Sequence, residues 1–135
     1  MGEGGRAKRA GRARDAALGR WRRVRDRTAW SCEGFVHAWR TEPSPRQWVL
    51  ANLASGLLAV LLPIGPGARA AIVMGGVMVL ALECLNTAVE RVVDDMSEAR
   101  RPRAKQAKDA GSAAVAVAAL AVGLAWAVAL WGLLD

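Results

Sequence analysis

A cluster of polar side chains interrupts an otherwise apolar stretch in the second half of the chain. Residues 70–82 carry no charge, and the side chains that follow include Glu83, Asn86, Glu90 and Asp94. On a helix these four positions fall within an arc of about 80°. A polar seam that holds helices together is the alternative, but such seams normally use uncharged side chains. A carboxylate near the middle of a bilayer costs roughly 2.5–3.5 kcal/mol, so three on one stripe predict a site for cations, metal ions or protons.

A second group of charged residues follows after a short loop. Lys108 and Asp109 precede the uncharged run of residues 110–134. Asp109 as a helix cap and Lys108 as a snorkelling side chain are the structural alternatives. Beside the carboxylate stripe, the pair also supplies what is needed to hold a metal–polyphosphate complex. The sequence contains neither a Walker A loop nor a kinase glycine-rich loop.

The elements that must position these residues are apolar helices. The runs 47–68 and 110–134 are uncharged, and the middle run becomes long enough only if it continues through Glu83. Because a spanning helix needs about 20 apolar residues, we predict three transmembrane helices over about 47–64, 68–94 and 106–134. A soluble helical bundle is less favoured, because the last run is longer than such a bundle requires. The predicted fold class is an all-α membrane protein.

The charge distribution predicts the orientation in the membrane. The net charge of +7 arises from residues 1–27, where Lys and Arg far outnumber Asp and Glu. A basic segment can bind nucleic acid, but one that precedes membrane spans more often marks the cytoplasmic side. The basic residues of the loop before the last span lie two spans away, on the same side. We therefore predict a cytoplasmic amino terminus, an external carboxyl terminus and no nucleic-acid partner.

The region before the first span is predicted to lie at the membrane surface. Residues 1–20 are rich in Gly, Ala and Arg, a composition that predicts disorder. Residues 22–40 are predicted to form an interfacial amphipathic helix, in which Trp side chains anchor at headgroup depth and Arg side chains snorkel. The integral-membrane domain is therefore expected to occupy residues 21–135.

Two motifs resemble a known family. The segment "ECLNTAVERVVD", followed by "PRAKQAKDAGSAAV", is similar to the small bacterial diacylglycerol kinase and undecaprenol kinase family, in both residue types and spacing. An upstream segment, "EGFVHAWRTE", resembles the surface helix of that family. The resemblance covers about residues 23–134. The chain departs from the family pattern at Pro43-Ser44-Pro45 and at Arg101, where many members have His.

The resemblance implies a homotrimer of three-span protomers with a surface helix, bound to the bacterial inner membrane. It implies ATP as co-substrate, Mg²⁺ as cofactor and a membrane lipid as acceptor of the γ-phosphate. The implied catalytic residues are Glu83, as general base, and Asn86, and the implied metal ligands are Glu42 and Glu90. The implied ATP-binding residues are Arg23, Trp30, Glu90, Asp94, Arg100, Arg101, Lys108 and Asp109. The implied lipid-binding residues are Arg23, Trp39, Trp48, Glu83 and Ser112.

The identity of the lipid substrate is the feature that the sequence determines least. Diacylglycerol and undecaprenol both present a primary hydroxyl at the membrane surface. The "ECLN" and "GSAAV" forms of the motifs are more similar to the diacylglycerol kinase branch, which makes diacylglycerol the expected substrate and undecaprenol the alternative. A small proton-coupled transporter is a more distant alternative, since it would need one isolated carboxylate rather than three. A membrane adaptor would leave the carboxylate stripe unexplained.

Overall fold

The computed structural model describes residues 3–96, 99 and 101–134, with side chains described at Ala16 and from residue 18 onward. Within these residues the chain is helical, with α1 at Glu3–Thr41, α2 at Pro43–Leu61, α3 at Pro66–Met96 and α4 at Pro102–Trp131. The chain divides into two compact units, residues 1–37 and residues 38–135. The second unit contains the last turn of α1 and all of α2, α3 and α4.

Helix α1 is longer than the sequence predicted. It begins at Glu3 and ends at Thr41, so residues 3–20 are helical where we expected a disordered segment. Ala and Arg are among the strongest helix formers, and in this segment they outweigh the glycines that suggested disorder. The helix expected over 22–40 is present as the second half of this longer helix, and its location at the membrane surface stays a prediction.

Proline residues determine where the other helices begin. Pro43 and Pro45 open α2, and Pro102 opens α4. Proline is favoured in the first turn of a helix, because its missing N–H would have no partner there. It also disfavours helical torsions at the preceding residue. Glu42 and Arg101 accordingly have extended backbones, and each separates two helical segments.

The turn between α2 and α3 is held by one arginine. Arg69, in the first turn of α3, donates hydrogen bonds to the carbonyls of Ala59 at 2.7 Å, Leu62 at 3.3 Å and Ile64 at 3.4 Å. The last carbonyls of a helix have no partner within the helix. Arg69 therefore satisfies part of the carboxyl end of α2 and ties it to α3.

Helix α3 packs against both α2 and α4, and the contact with α4 is the more extensive. A small apolar core contains Ala59, Ile64, Ile72 and Ala129. Gly76 allows the closest approach of α2, because an added Cβ would overlap the side-chain amide of Asn52. Gly76 thus lies on the face of α3 that packs against α2.

Two of the helices, α3 and α4, are long and apolar enough to cross a membrane. Helix α4 leaves large apolar side chains exposed along its length, including Val117, Leu120, Leu124 and Val128. In a soluble bundle those side chains would face water, whereas contiguous exposed apolar surface is typical of contact with lipid or a partner. The described residues are therefore consistent with an all-α membrane protein. Helix α2 is not one of these two, because it has 19 residues and its first turns contain Ser44, Arg46 and Gln47.

Candidate active site

A cavity of about 270 Å³ lies where α2, α3 and α4 approach one another. Its lining contains both polar and apolar side chains from all three helices and from the residue that precedes α2. All four predicted catalytic and metal-binding residues, Glu42, Glu83, Asn86 and Glu90, line it together with the predicted lipid contacts Trp48 and Ser112. The lining residues are Glu42, Ser44, Trp48, Glu83, Asn86, Thr87, Glu90, Ser112, Val115 and Ala116.

Helix α3 supplies the most buried polar wall of the cavity. Glu83 is 4% exposed, Thr87 5% and Asn86 9%. Glu83, Thr87 and Glu90 recur at intervals of three and four residues, so a helix places them on one face. Sequence reasoning missed Thr87, although its position four residues after Glu83 was a sufficient signal. Asp94, the last residue of the predicted stripe, is exposed and does not line the cavity.

Asn86 joins this wall to α4. Its side-chain Nδ2 donates a hydrogen bond to Glu90 Oε1 at 3.0 Å. Its Oδ1 is buried and has no hydrogen-bond partner among the described residues. The same oxygen lies where a Cβ on Gly111 of α4 would be, so only glycine leaves room for it. A buried acceptor without a partner is costly, and such groups often mark functional sites. Asn86 is thus suited to orient Glu90, while its buried oxygen packs against α4 at Gly111.

Glu42 reaches the cavity from the break between α1 and α2. Its N–H donates to the Ala38 carbonyl at 2.9 Å, and its own carbonyl accepts a hydrogen bond from Arg46 Nε at 3.3 Å. The backbone on both sides of the side chain is therefore fixed. With Pro43 and Pro45 following it, Glu42 is still one of the residues that line the cavity.

Charged residues near the start of α4 form two ion pairs outside the cavity. Lys108 Nζ lies 2.6 Å from Asp94 Oδ1 and donates to Oδ2 at 2.8 Å, which links α4 to α3. Asp109 pairs with Lys105, one turn earlier on the same helix. Because α4 begins at Pro102, Asp109 lies inside the helix, and the alternative that it caps the helix was wrong.

Of the other predicted site residues, some line the cavity and the rest lie elsewhere. Trp48 and Ser112 line the cavity, whereas the partly buried Trp39 does not. Arg101 precedes the first residue of α4, and Arg100 lies outside the described residues. Arg23 and Trp30 are exposed residues of the first compact unit.

The carboxylates of this cavity fit a divalent cation that binds together with phosphate. Among the described residues, no three acidic, His or Cys side chains lie close enough together to hold a metal ion by themselves. Mg²⁺ usually takes one or two carboxylates and completes its shell with water and substrate phosphates. Glu42 and Glu90 supply two carboxylates to one cavity, which matches that requirement.

The chain is similar to known proteins over most of its length. The family model described as Prokaryotic diacylglycerol kinase matches residues 29–130. The chain is 40% identical over 111 residues to a diacylglycerol kinase of Pseudomonas aeruginosa, covering 82% of this chain and 90% of the relative. It is 31% identical over 109 residues to a diacylglycerol kinase of Escherichia coli K12, covering 81% and 89%. It is 36% identical over 101 residues to one of Haemophilus influenzae, covering 73% and 84%. The match extends through every residue that lines the cavity, and the chain belongs to the prokaryotic diacylglycerol kinase family.

Proposed function

We propose that this chain is a membrane-bound lipid kinase that transfers the γ-phosphate of ATP to diacylglycerol and produces phosphatidic acid. The observation that supports this most directly is the convergence of Glu83, Asn86 and Glu90 on one cavity with Glu42. The relatives named diacylglycerol kinase support the same reaction, because they cover most of the chain.

In this proposal Glu83 is the general base. The lipid hydroxyl oxygen attacks the γ-phosphorus, the bond from that phosphorus to the ADP oxygen breaks, and the hydroxyl proton passes to the Glu83 carboxylate. A general base must be within hydrogen-bond reach of the proton it removes. The cavity admits a small polar headgroup beside Glu83, with Thr87 and Ser112 as further hydrogen-bonding groups in its lining.

Asn86 orients the acidic groups around the reaction centre. Its amide nitrogen holds Glu90 through the 3.0 Å hydrogen bond, while its free oxygen faces the region near Gly111. Glu42 and Glu90 would hold Mg²⁺ that accompanies ATP. The ion, when bound, neutralises charge on the phosphates, which phosphoryl transfer requires.

The remaining charged residues are assigned to the nucleotide. Lys108 would contact the phosphates as a point charge, and Asp94 and Asp109 would help to hold the nucleotide. Arg23, Trp30, Arg100 and Arg101 are proposed as further nucleotide contacts. On the lipid side, Arg23, Trp39, Trp48 and Ser112 are proposed to contact the substrate.

The proposed assembly is a homotrimer in the bacterial inner membrane. Each protomer would cross the membrane three times through α2, α3 and α4, with α1 at the cytoplasmic surface. The amino terminus and the active site would be cytoplasmic and the carboxyl terminus external. The short helix α2 and the apolar faces of α3 and α4 are compatible with this arrangement.

A substrate panel tests the proposal. Purified protein in mixed micelles is supplied with radiolabelled ATP, Mg²⁺ and one lipid at a time, either diacylglycerol or undecaprenol, and the lipid extract is counted. We expect predominant labelling of diacylglycerol. Predominant labelling of undecaprenol would change the substrate, and no labelling of any lipid would remove the kinase function in favour of a transporter or an adaptor.

A further inference from the structure

Arg91 makes contacts that the proposed reaction does not yet use. It lies on α3, directly after Glu90, and its guanidinium extends to the break between α1 and α2. Arg91 Nη2 donates a hydrogen bond to Thr41 Oγ1 at 2.5 Å and lies 3.7 Å from Glu42 Oε1. Arg91 therefore links α3, which carries Glu83 and Glu90, to the break between α1 and α2, where Glu42 lies.

The contacts of Arg91 with Thr41 and with Glu42 are of different kinds. At 2.5 Å the contact with Thr41 is a short hydrogen bond, so the hydroxyl fixes the position of the guanidinium. At 3.7 Å the contact with Glu42 is an ion pair but too long for a hydrogen bond. The carboxylate is thus attracted to Arg91 while its oxygen lone pairs stay available for another ligand.

Local structure at Glu42 explains why such a contact matters. Glu42 is the single extended residue between two helices, and its side chain makes no helix-capping hydrogen bond. Its side chain is 40% exposed, so without a partner it would sample several rotamers. It lines the same cavity as Glu83 and Glu90, and like charges repel. A cation beside Glu42 restricts the rotamers of its side chain and offsets the repulsion from Glu83 and Glu90.

We propose that Arg91 is a positioning residue that holds the Glu42 carboxylate toward the cavity for a divalent cation. The inference rests on the proposed function, in that it takes Glu42 as a metal ligand. Exposed ion pairs contribute little to folding free energy. The effect of Arg91 is therefore on the orientation of a ligand before the cation binds, and not on the stability of the fold.

Binding of Mn²⁺ measures this orientation without relying on turnover. The full chain in detergent is titrated with Mn²⁺ in the presence of a non-hydrolysable ATP analogue, and free Mn²⁺ is followed by electron paramagnetic resonance. We expect Arg91→Ala to weaken Mn²⁺ binding about fivefold, in keeping with the modest strength of half-exposed charge pairs. Arg91→Lys keeps the charge but loses the planar guanidinium, so its affinity should be intermediate.

A double-mutant cycle with Glu42 makes the test specific. If Arg91 acts through Glu42, Arg91→Ala should have no further effect on Mn²⁺ affinity once Glu42→Gln is present. Arg40→Ala is the matched control, because Arg40 is exposed, lies two residues before Glu42 and removes the same charge. Its Mn²⁺ affinity should equal that of the unsubstituted protein.

Several results would overturn the inference. These are unchanged or tighter Mn²⁺ binding in Arg91→Ala, an equal loss in the Glu42→Gln background, or an equal loss in Arg40→Ala. Labelling of diacylglycerol by the unsubstituted protein is measured on the same preparation. If labelling is present while Arg91→Ala leaves Mn²⁺ affinity unchanged, only the role of Arg91 fails. If labelling is absent, the proposed function fails, whatever Arg91 does.

Discussion

Glu83 is an ionisable side chain in the apolar part of α3, and its burial leaves it 4% exposed. Removing a carboxylate from water costs several kcal/mol unless partners replace the lost hydration. An apolar residue of similar size would pack at this position without that cost. The position of Glu83 on the cavity wall, beside Asn86 and Thr87, is therefore best explained by a role in the reaction.

Replacing this carboxylate by its isosteric amide tests that role. We expect Glu83→Gln to fold and assemble normally, because the amide keeps the shape and removes a buried charge. General-base catalysis contributes about 10²–10⁴-fold, so lipid phosphorylation should fall by that order. Nucleotide affinity, measured with a fluorescent ATP analogue, should change little. Near-native turnover in this variant would exclude Glu83 as the base.

Gly111 provides a second test at the residue scale. Glycine-to-alanine changes inside a helix usually stabilise it by about 1 kcal/mol. At Gly111 the added Cβ would overlap Asn86 Oδ1, so the amide must rotate and the hydrogen bond to Glu90 would be lost. We expect Gly111→Ala to lower the phosphorylation rate at least about tenfold, the loss that follows from one misplaced polar group of about 1.4 kcal/mol.

The matched control for that change is Gly56→Ala. Gly56 is also helical, and nothing lies within 4 Å of a Cβ added there. This variant should keep full activity and gain slightly in melting temperature. Equal activity in Gly111→Ala and Gly56→Ala would mean that the Asn86 amide does not need its present orientation.

At the scale of elements, α3 and α4 are joined near the cavity by Lys108 and Asp94. Both side chains are partly exposed, so their ion pair adds at most about 1 kcal/mol to stability. A residue that only joined the helices would therefore have a small effect when replaced. A residue that also contacts ATP phosphates would have a large effect on ATP use.

Lys108→Met separates these two roles. We expect the KM for ATP to rise at least about tenfold, because a charge-assisted contact to phosphate is worth about 1.5–3 kcal/mol. The KM for the lipid and the melting temperature should stay close to those of the unsubstituted protein. The control is Arg103→Met, which removes one positive charge at an exposed position of α4. An equal rise in the ATP KM for both variants would point to general loss of positive charge.

The junction of α2 and α3 depends on Arg69 in a different way. Its three hydrogen bonds go to carbonyls that no helical N–H can reach. We expect Arg69→Met to destabilise the fold by about 1–3 kcal/mol, the usual cost of leaving such groups unpaired. Thermal unfolding in detergent measures this loss, and activity well below the melting temperature should be retained. Arg103→Met, at an exposed position of α4, should unfold like the unsubstituted protein.

At the scale of the whole molecule, α4 presents a surface that packing within one chain leaves uncovered. In its exposed stretch, Gly123 has nothing within 4 Å of the position where a Cβ would lie. Small residues at an apolar surface permit the close approach of another membrane helix. This surface is consistent with a homotrimer in which α4 contributes to the contact between protomers.

Light scattering coupled to size-exclusion chromatography in detergent tests this assembly. We expect the unsubstituted chain to have the protein mass of a trimer. Gly123→Leu should reduce the trimeric fraction, because the larger side chain prevents close helix packing. Val128→Leu, an exchange of similar apolar residues on the same helix, is the control and should remain trimeric. A stable monomer with full activity would contradict the proposed assembly.

The sequence by itself determined the features that depend on local geometry. A helix places residues three and four positions apart on one face, so Glu83, Asn86 and Glu90 were predicted to act together before any packing was considered. The apolar runs determined which segments form the long helices α3 and α4, although α2, α3 and α4 begin at Pro43, Pro66 and Pro102 rather than at about 47, 68 and 106 as predicted. The motif also indicated the family. The segment before residue 20 was the exception. Its composition did not show whether the helix-forming residues or the glycines would decide its structure.

The tertiary structure decided the contacts between residues that are far apart along the chain. Glu42 meets Arg91 only because the break before α2 lies against the end of α3, and Asn86 meets Gly111 only because α3 and α4 approach closely. It also removed Asp94 from the cavity, since the last turns of α3 extend beyond the point where the three helices meet. Such contacts depend on where and at what angle helices cross. That geometry is set by the sum of many packing contacts, and no single segment of sequence contains it.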